Sequence, residues 1–181
     1  MSVLGYVEAS DFRVSGRLLA WRAPRWFRVL MISSTRAGDG WLWLAVGLAL
    51  ATVGTDGHRV LAAAAVSAGV ANILQVLVKR RVRRTRPCDC ELVSLNAYGV
   101  KPLGHFPSDR YSFPSGHALN AFAIGSVLAL AFPLLAAPVL IVAASVAASR
   151  VVLGLHFLSD VLAGSLLGAL IGASVYVVLL A

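Results

Sequence analysis

Two histidines, three cations and one carboxylate stand where they could do phosphate chemistry. Lys79 and Arg86 bracket a basic run closed by Pro87. Pro114-Ser115-Gly116-His117 opens an apolar stretch, and Arg150, His156 and Asp160 interrupt two others. Guanidinium forks match phosphate oxygens in pairs, and an ammonium adds a point charge. Pro114 suits a first helical position, so the free N–H groups of Ser115 and Gly116 should face outward as an anion site. His156 and Asp160 are four apart and would share one face of a helix. A carboxylate bonded to Nδ1–H fixes the tautomer and leaves Nε2 of His156 as a nucleophile. His117 can then protonate the leaving alcohol and later activate water. The residues offer no carboxylate cluster for magnesium or a metal pair, so no metal and no cofactor is expected.

Such residues need a scaffold, and the composition points to a bilayer. Of 181 residues, 59% are hydrophobic and 13% charged, and mean hydropathy is +0.81. Soluble domains carry about a quarter charged residues. The net charge of +8 suits anionic lipid headgroups or a phosphate substrate. Membrane lipids are the expected partners, with no nucleic acid and no obligate protein partner. The N-terminus does not read as a cleaved signal peptide, since it lacks a basic start before an apolar run and a small-residue cleavage site.

The chain reads as all-α, a polytopic membrane helical bundle of about five crossings. These fall at roughly 40–55, 59–78, 117–132, 136–153 and 160–180. The apolar runs lack period-two alternation, so helices rather than strands satisfy the backbone in lipid. Pro133 and Pro138 split one apolar stretch too long for a single crossing. Residues 1–40 interleave arginines with aromatics and read as an amphipathic interfacial region, broken near Pro24. Residues 41–181 are expected to form one membrane-embedded domain that carries the phosphate chemistry. This order brings all three polar clusters to one end of the bundle.

A long polar connection runs from Cys88 to Phe113, and connections of that length are usually functional or disordered. By position in it, Tyr98, Lys101, His105, Phe106, Asp109 and Arg110 are candidates for headgroup specificity. Cys88 and Cys90, the only cysteines, read as two unpaired thiols. His58 falls on the opposite face and reads as a turn residue.

The three clusters together resemble the type 2 phosphatidic acid phosphatase superfamily. Its signature is Lys-x6-Arg-Pro, Pro-Ser-Gly-His and Ser-Arg-x5-His-x3-Asp. Here it reads Lys79 to Arg86-Pro87, Pro114-Ser115-Gly116-His117, and Ser149-Arg150 through His156 to Asp160, without a gap and in order. The resemblance implies that Lys79, Arg86, Ser115, Gly116 and Arg150 bind phosphate. It implies that His156 is the nucleophile, His117 the acid and base, and Asp160 the group orienting His156. It also implies a bacterial inner-membrane enzyme acting on phosphatidic acid, phosphatidylglycerol phosphate, polyprenyl diphosphate or lipid A. The family has six crossings where five are counted here. It places the site on the periplasmic face, whereas the charges argue for the cytoplasmic one, only Arg59 lying on the opposite face; the family's placement is followed.

The expected function is metal-independent hydrolysis of a lipid phosphomonoester or diphosphate through a phosphohistidine. A lipid phosphotransferase would share that intermediate. A non-catalytic protein binding anionic lipid would need the cations but not His117, His156 and Asp160 together.

Overall fold

A computed structural model describes residues 3–87 and 111–181. Among these residues every regular element is helical. Helices α1 (Val3–Ala20) and α2 (Arg25–Arg36) are separated at residues 21–24, with Pro24 as the N-cap of α2. A π-helical turn, Ala37–Trp41, joins α2 to α3 (Leu42–Ala51). Gly40 kinks this run at φ 119, a value an L side chain rarely adopts. Then follow α4 (Gly54–Val82), α5 (Gly116–Ala131), a 3-10 turn (Pro133–Leu135), α6 (Ala136–Val152) and α7 (Leu158–Leu179).

The protein is a multi-pass membrane bundle. Helix α4, the run Pro133–Val152 and α7 are long and apolar enough to cross a bilayer. Helix α5 is apolar but has 16 residues, a rise of about 24 Å. Helix α3 has only 10 residues, so the first expected crossing, 40–55, gains length only by continuing α2 through the kink. Leu162, Leu166 and Leu170 of α7 and Ile73 and Leu77 of α4 are exposed. That outward apolar surface suits lipid contact.

Chain chemistry sets the helix ends. Lys79, Arg80 and Arg81 lie in the last turn of α4, where cations complement the helix dipole. Arg83 closes that helix in a left-handed conformation, φ 51 and ψ 34, its N–H donating to the Lys79 carbonyl. Pro133 separates α5 from α6, while Pro138 sits in the first turn of α6, where a missing N–H costs little. His58, expected as a turn residue, lies in the first turns of α4 instead. His58 is therefore helical, and its Nε2 lies 3.0 Å from the Ala51 carbonyl.

Helix α5 is the centre of the bundle, packed against α4, α6 and α7. Leu119, Ala121, Ala123 and Val127 are fully buried on it. The α5–α7 contact brings backbone close at three glycines, with Leu167 and Ile171 packed on Leu119 and Ala123. A Cβ on Gly164, Gly168 or Gly172 would fall 2.6, 2.2 or 2.3 Å from the carbonyl oxygen of Ser115, Leu119 or Ala123. Small residues at this spacing let membrane helices approach closely. Helix α1 packs on α6 and α7, and α2 on α6. The Phe12 and Phe157 rings meet edge to face at 5.2 Å.

Candidate active site

Three separate chain segments are stitched together by backbone at one end of the bundle. Ser112 N–H donates to the Arg84 carbonyl at 2.8 Å, and Ser115 N–H to the Asp160 carbonyl at 3.0 Å. The N–H groups of Leu155 and His156 both reach the Arg150 carbonyl. The segments holding Lys79 and Arg86, Ser115 to His117, and Arg150 to Asp160 are thus brought together, as chain order implied.

Lys79 lies on the last turn of α4 and Arg86 just beyond it; both are buried. Arg150, also buried, lies near the end of α6, and its Nη1 donates to Thr35 Oγ1 at 2.5 Å. Ser115 is the N-cap of α5 and Gly116 its first residue. The expectation for Pro114 is corrected here, because the helix starts two residues later. Ser115 N–H is also not turned outward, being taken by the Asp160 carbonyl. The Gln75 side chain lies against Gly116, where a Cβ would fall 1.8 Å from its Oε1 and displace it.

His156 is 1% exposed and sits in the turn before α7, not on the helix. The shared helical face expected of His156 and Asp160 is therefore absent. Nδ1 of His156 lies 2.7 Å from the Ser112 carbonyl. Asp160 Oδ2 is 3.8 Å from the same nitrogen, beyond hydrogen-bond reach. The carbonyl of Ser112, not the carboxylate, is the group that fixes the ring. A carbonyl can only accept, so Nδ1 carries a proton and, in the neutral ring, Nε2 holds the lone pair.

Asp160 is instead a structural anchor. Its Oδ2 accepts the Phe157 N–H at 2.8 Å, at the start of α7. Its Oδ1 accepts from Arg84 Nη1 at 2.7 Å. Arg84 Nη2 reaches Asp11 Oδ2 at 2.8 Å, and its guanidinium stands 4.2 Å from the Phe157 ring centroid. Asp11 also accepts from the Ser159 N–H at 3.0 Å and from the Ser159 hydroxyl. Burial works against the Arg84 charge, but the Asp11 hydrogen bond and the pull of Asp160 and Asp11 outweigh it and raise its pKa.

His117, on the first turn of α5, is partly exposed, and its Nε2 lies 2.7 Å from Asp39 Oδ1. Asp39 belongs to the π-helical turn, a feature that is frequent at functional sites. Gly38 lets this turn lie against His117, for a Cβ there would be 3.0 Å from the ring and 2.7 Å from Val146.

Sequence reasoning missed Asp11, Thr35, Asp39, Arg84 and Ser112. Asp11 and Asp39 carried one signal, as two of only 8 acidic residues in a basic chain. Arg84 was hidden among its basic neighbours. Tyr98, Lys101, His105, Phe106, Asp109 and Arg110, with Cys88 and Cys90, lie outside the described residues. Among the described residues, no group of three His, Cys, Asp or Glu could hold a metal ion.

A sequence profile described as the PAP2 superfamily matches residues 60–181. The chain is 39% identical over 140 residues to the decaprenylphosphoryl-5-phosphoribose phosphatase of Mycobacterium tuberculosis, covering 75% of this chain and 70% of that one. It is 34% identical over 115 residues to phosphatidylglycerophosphatase B of Bacillus subtilis, covering 57% and 50%. The crystal structure of a transmembrane PAP2-type phosphatidylglycerolphosphate phosphatase from Bacillus subtilis matches with TM-score 0.71 at 27% identity, over 96% of this chain and 86% of that one.

Proposed function

The chain belongs to the PAP2 superfamily, and from that membership we propose that it hydrolyses a phosphomonoester carried on a membrane lipid through a phosphohistidine on His156. It is a membrane lipid phosphatase. The observation that carries the proposal is the 2.7 Å contact between His156 Nδ1 and the Ser112 carbonyl, which orients the ring and, in the neutral imidazole, puts the lone pair on Nε2.

The Nε2 lone pair attacks phosphorus, forming the P–N bond as the bond from phosphorus to the lipid oxygen breaks. His117 gives its proton to the departing alkoxide. Neutral His117 then takes a proton from water, the hydroxide attacks phosphorus, and the P–N bond breaks to release phosphate and restore His156. Lys79, Arg86 and Arg150 balance the charge on the phosphoryl oxygens through both steps.

One relative is named for decaprenylphosphoryl-5-phosphoribose and another for phosphatidylglycerol phosphate. A polyprenyl-linked pentose phosphate is accordingly the first lipid to assay. The proposal includes a site on the periplasmic face, where the surrounding basic residues capture anionic substrate.

The test is phosphate release by the purified protein and by His156→Ala, with phosphoenzyme trapped from labelled substrate. Wild type should turn over and yield a labelled protein adduct that is labile in acid. The variant should do neither while keeping its elution volume in detergent. Turnover by His156→Ala at more than about a hundredth of the wild-type rate contradicts the mechanism.

A further inference from the structure

Three side-chain amides lie together along the α4–α5 interface, Asn72 exposed and Gln75 and Asn120 partly buried, and catalysis as described uses none of them. Asn72 and Gln75 belong to α4, seven and four residues before Lys79. Asn120 belongs to α5, four residues after Gly116. Along a helix these offsets place the amides about 6–10 Å inward from the phosphate end. Gln75 Nε2 donates to Asn72 Oδ1 at 2.8 Å, and Asn120 Nδ2 donates to the same oxygen at 2.9 Å and to the Gly116 carbonyl at 3.2 Å. Gln75 Oε1 packs over the bare Cα of Gly116.

We propose that Asn72, Gln75 and Asn120 form a subsite that binds the hydroxyl groups of a sugar set between the phosphate and the lipid tail of the substrate. Polar groups at this depth are costly in a bilayer and stand as functional candidates by default. Two features suit a ligand. Asn120 Oδ1 is buried and accepts no hydrogen bond from the described residues, and the Asn72 side chain is exposed. Neutral amides carry both donors and acceptors, which matches alcohols and gives no advantage to a further anion.

The position along the stripe sets the order of groups in the ligand. Outward on α4 stands Lys79, and outward on α5 stand Gly116 and His117. Inward at helical spacing come Ala68, Ala65 and Leu61 on α4, with Ile124 and Leu128 on α5. These line an apolar cavity of about 200 Å³ shared with α3. Cation, amides and apolar lining follow one another down a single interface. A phosphate, a hydroxylated ring and a hydrocarbon chain in that order fit it.

The inference rests on the phosphatase reading. Its test compares three lipids on wild type: a polyprenyl-linked pentose phosphate, the same lipid with both ring hydroxyls replaced by hydrogen, and phosphatidic acid. Loss of the hydroxyls should lower kcat/KM at least about tenfold, because a site built to bond them is left unsatisfied. Asn72→Ala and Asn120→Ala should each lose at least about tenfold more kcat/KM on the hydroxylated lipid than on phosphatidic acid. Equal turnover of hydroxylated and deoxy lipids by wild type overturns the subsite, whatever the variants do. So does an equal loss on both lipids in the variants, which marks the amides as packing groups. Failure of the phosphatase reading looks different: wild type would turn over none of the three, or His156→Ala would retain activity.

Discussion

Asp39 Oδ1 lies 2.7 Å from His117 Nε2, although 78 positions separate the two residues. A carboxylate at that distance forms a charge-assisted hydrogen bond and orients the imidazole. The kink at Gly40 and the bare Cα of Gly38 bring it there. Asp39→Asn keeps the shape but removes the charge. Its kcat should fall about tenfold with KM nearly constant, the pattern of a group that acts on the chemical step. Steady-state kinetics in detergent measures both, and an unchanged kcat refutes a role for Asp39.

Arg84 neutralises Asp11 and Asp160 together. Arg84→Met strands two buried carboxylates, and breaking a buried pair in this way costs about 3 kcal/mol or more. A clear drop in melting temperature is expected, larger than for Arg83→Met, whose exposed side chain donates to the Arg80 carbonyl. Equal melting temperatures for the two variants would show that the network adds no stability.

The glycines of α7 give a stability prediction with an internal control. Gly168→Ala forces a Cβ to within 2.2 Å of the Leu119 carbonyl oxygen. Overpacking of this kind costs roughly 1–3 kcal/mol. Gly69→Ala on α4 meets nothing within 4 Å. It should be neutral, or stabilising by up to about 1 kcal/mol. Thermal unfolding of the two variants should move in opposite directions or differ clearly in size.

The mechanism draws its nucleophile and its positive charge from side chains. Activity should therefore stay within about twofold after dialysis against a chelator. Strict loss, restored by one divalent cation, would exclude the proposed route.

A membrane-impermeant thiol reagent tests the face of the site. Cys88 and Cys90 begin the connection that follows Pro87. They should be labelled in intact cells if the site faces outward. Labelling only after permeabilisation would place it inside.

The segments that converge were legible because each carries its own local pattern. Lys79 ends an apolar run, His117 begins one, and Arg150 and His156 separate two more. Their partners were not legible, because no spacing rule links Asp39 to His117, Asp11 to Arg84 or Thr35 to Arg150. Those pairs exist only once α1 and α2 pack on the bundle. The spacing of His156 and Asp160 suggested a helical face, yet His156 lies in the turn before α7 and meets the Ser112 carbonyl. An offset of four reports a shared face only where both residues are helical. The 10-residue length of α3 was also hidden, because apolar composition does not reveal where a helix kinks.

Along the α5–α7 seam three glycines of one helix lie against carbonyl oxygens of the other, and Leu167 and Ile171 pack on Leu119 and Ala123 beside them. A lipid leaving the bilayer sideways would need these two backbones to part along their length. That flank is closely packed. A hydrocarbon chain sliding in from the surrounding leaflet must use a different side door, and widening one elsewhere would leave α5 and α7 clasped as one post.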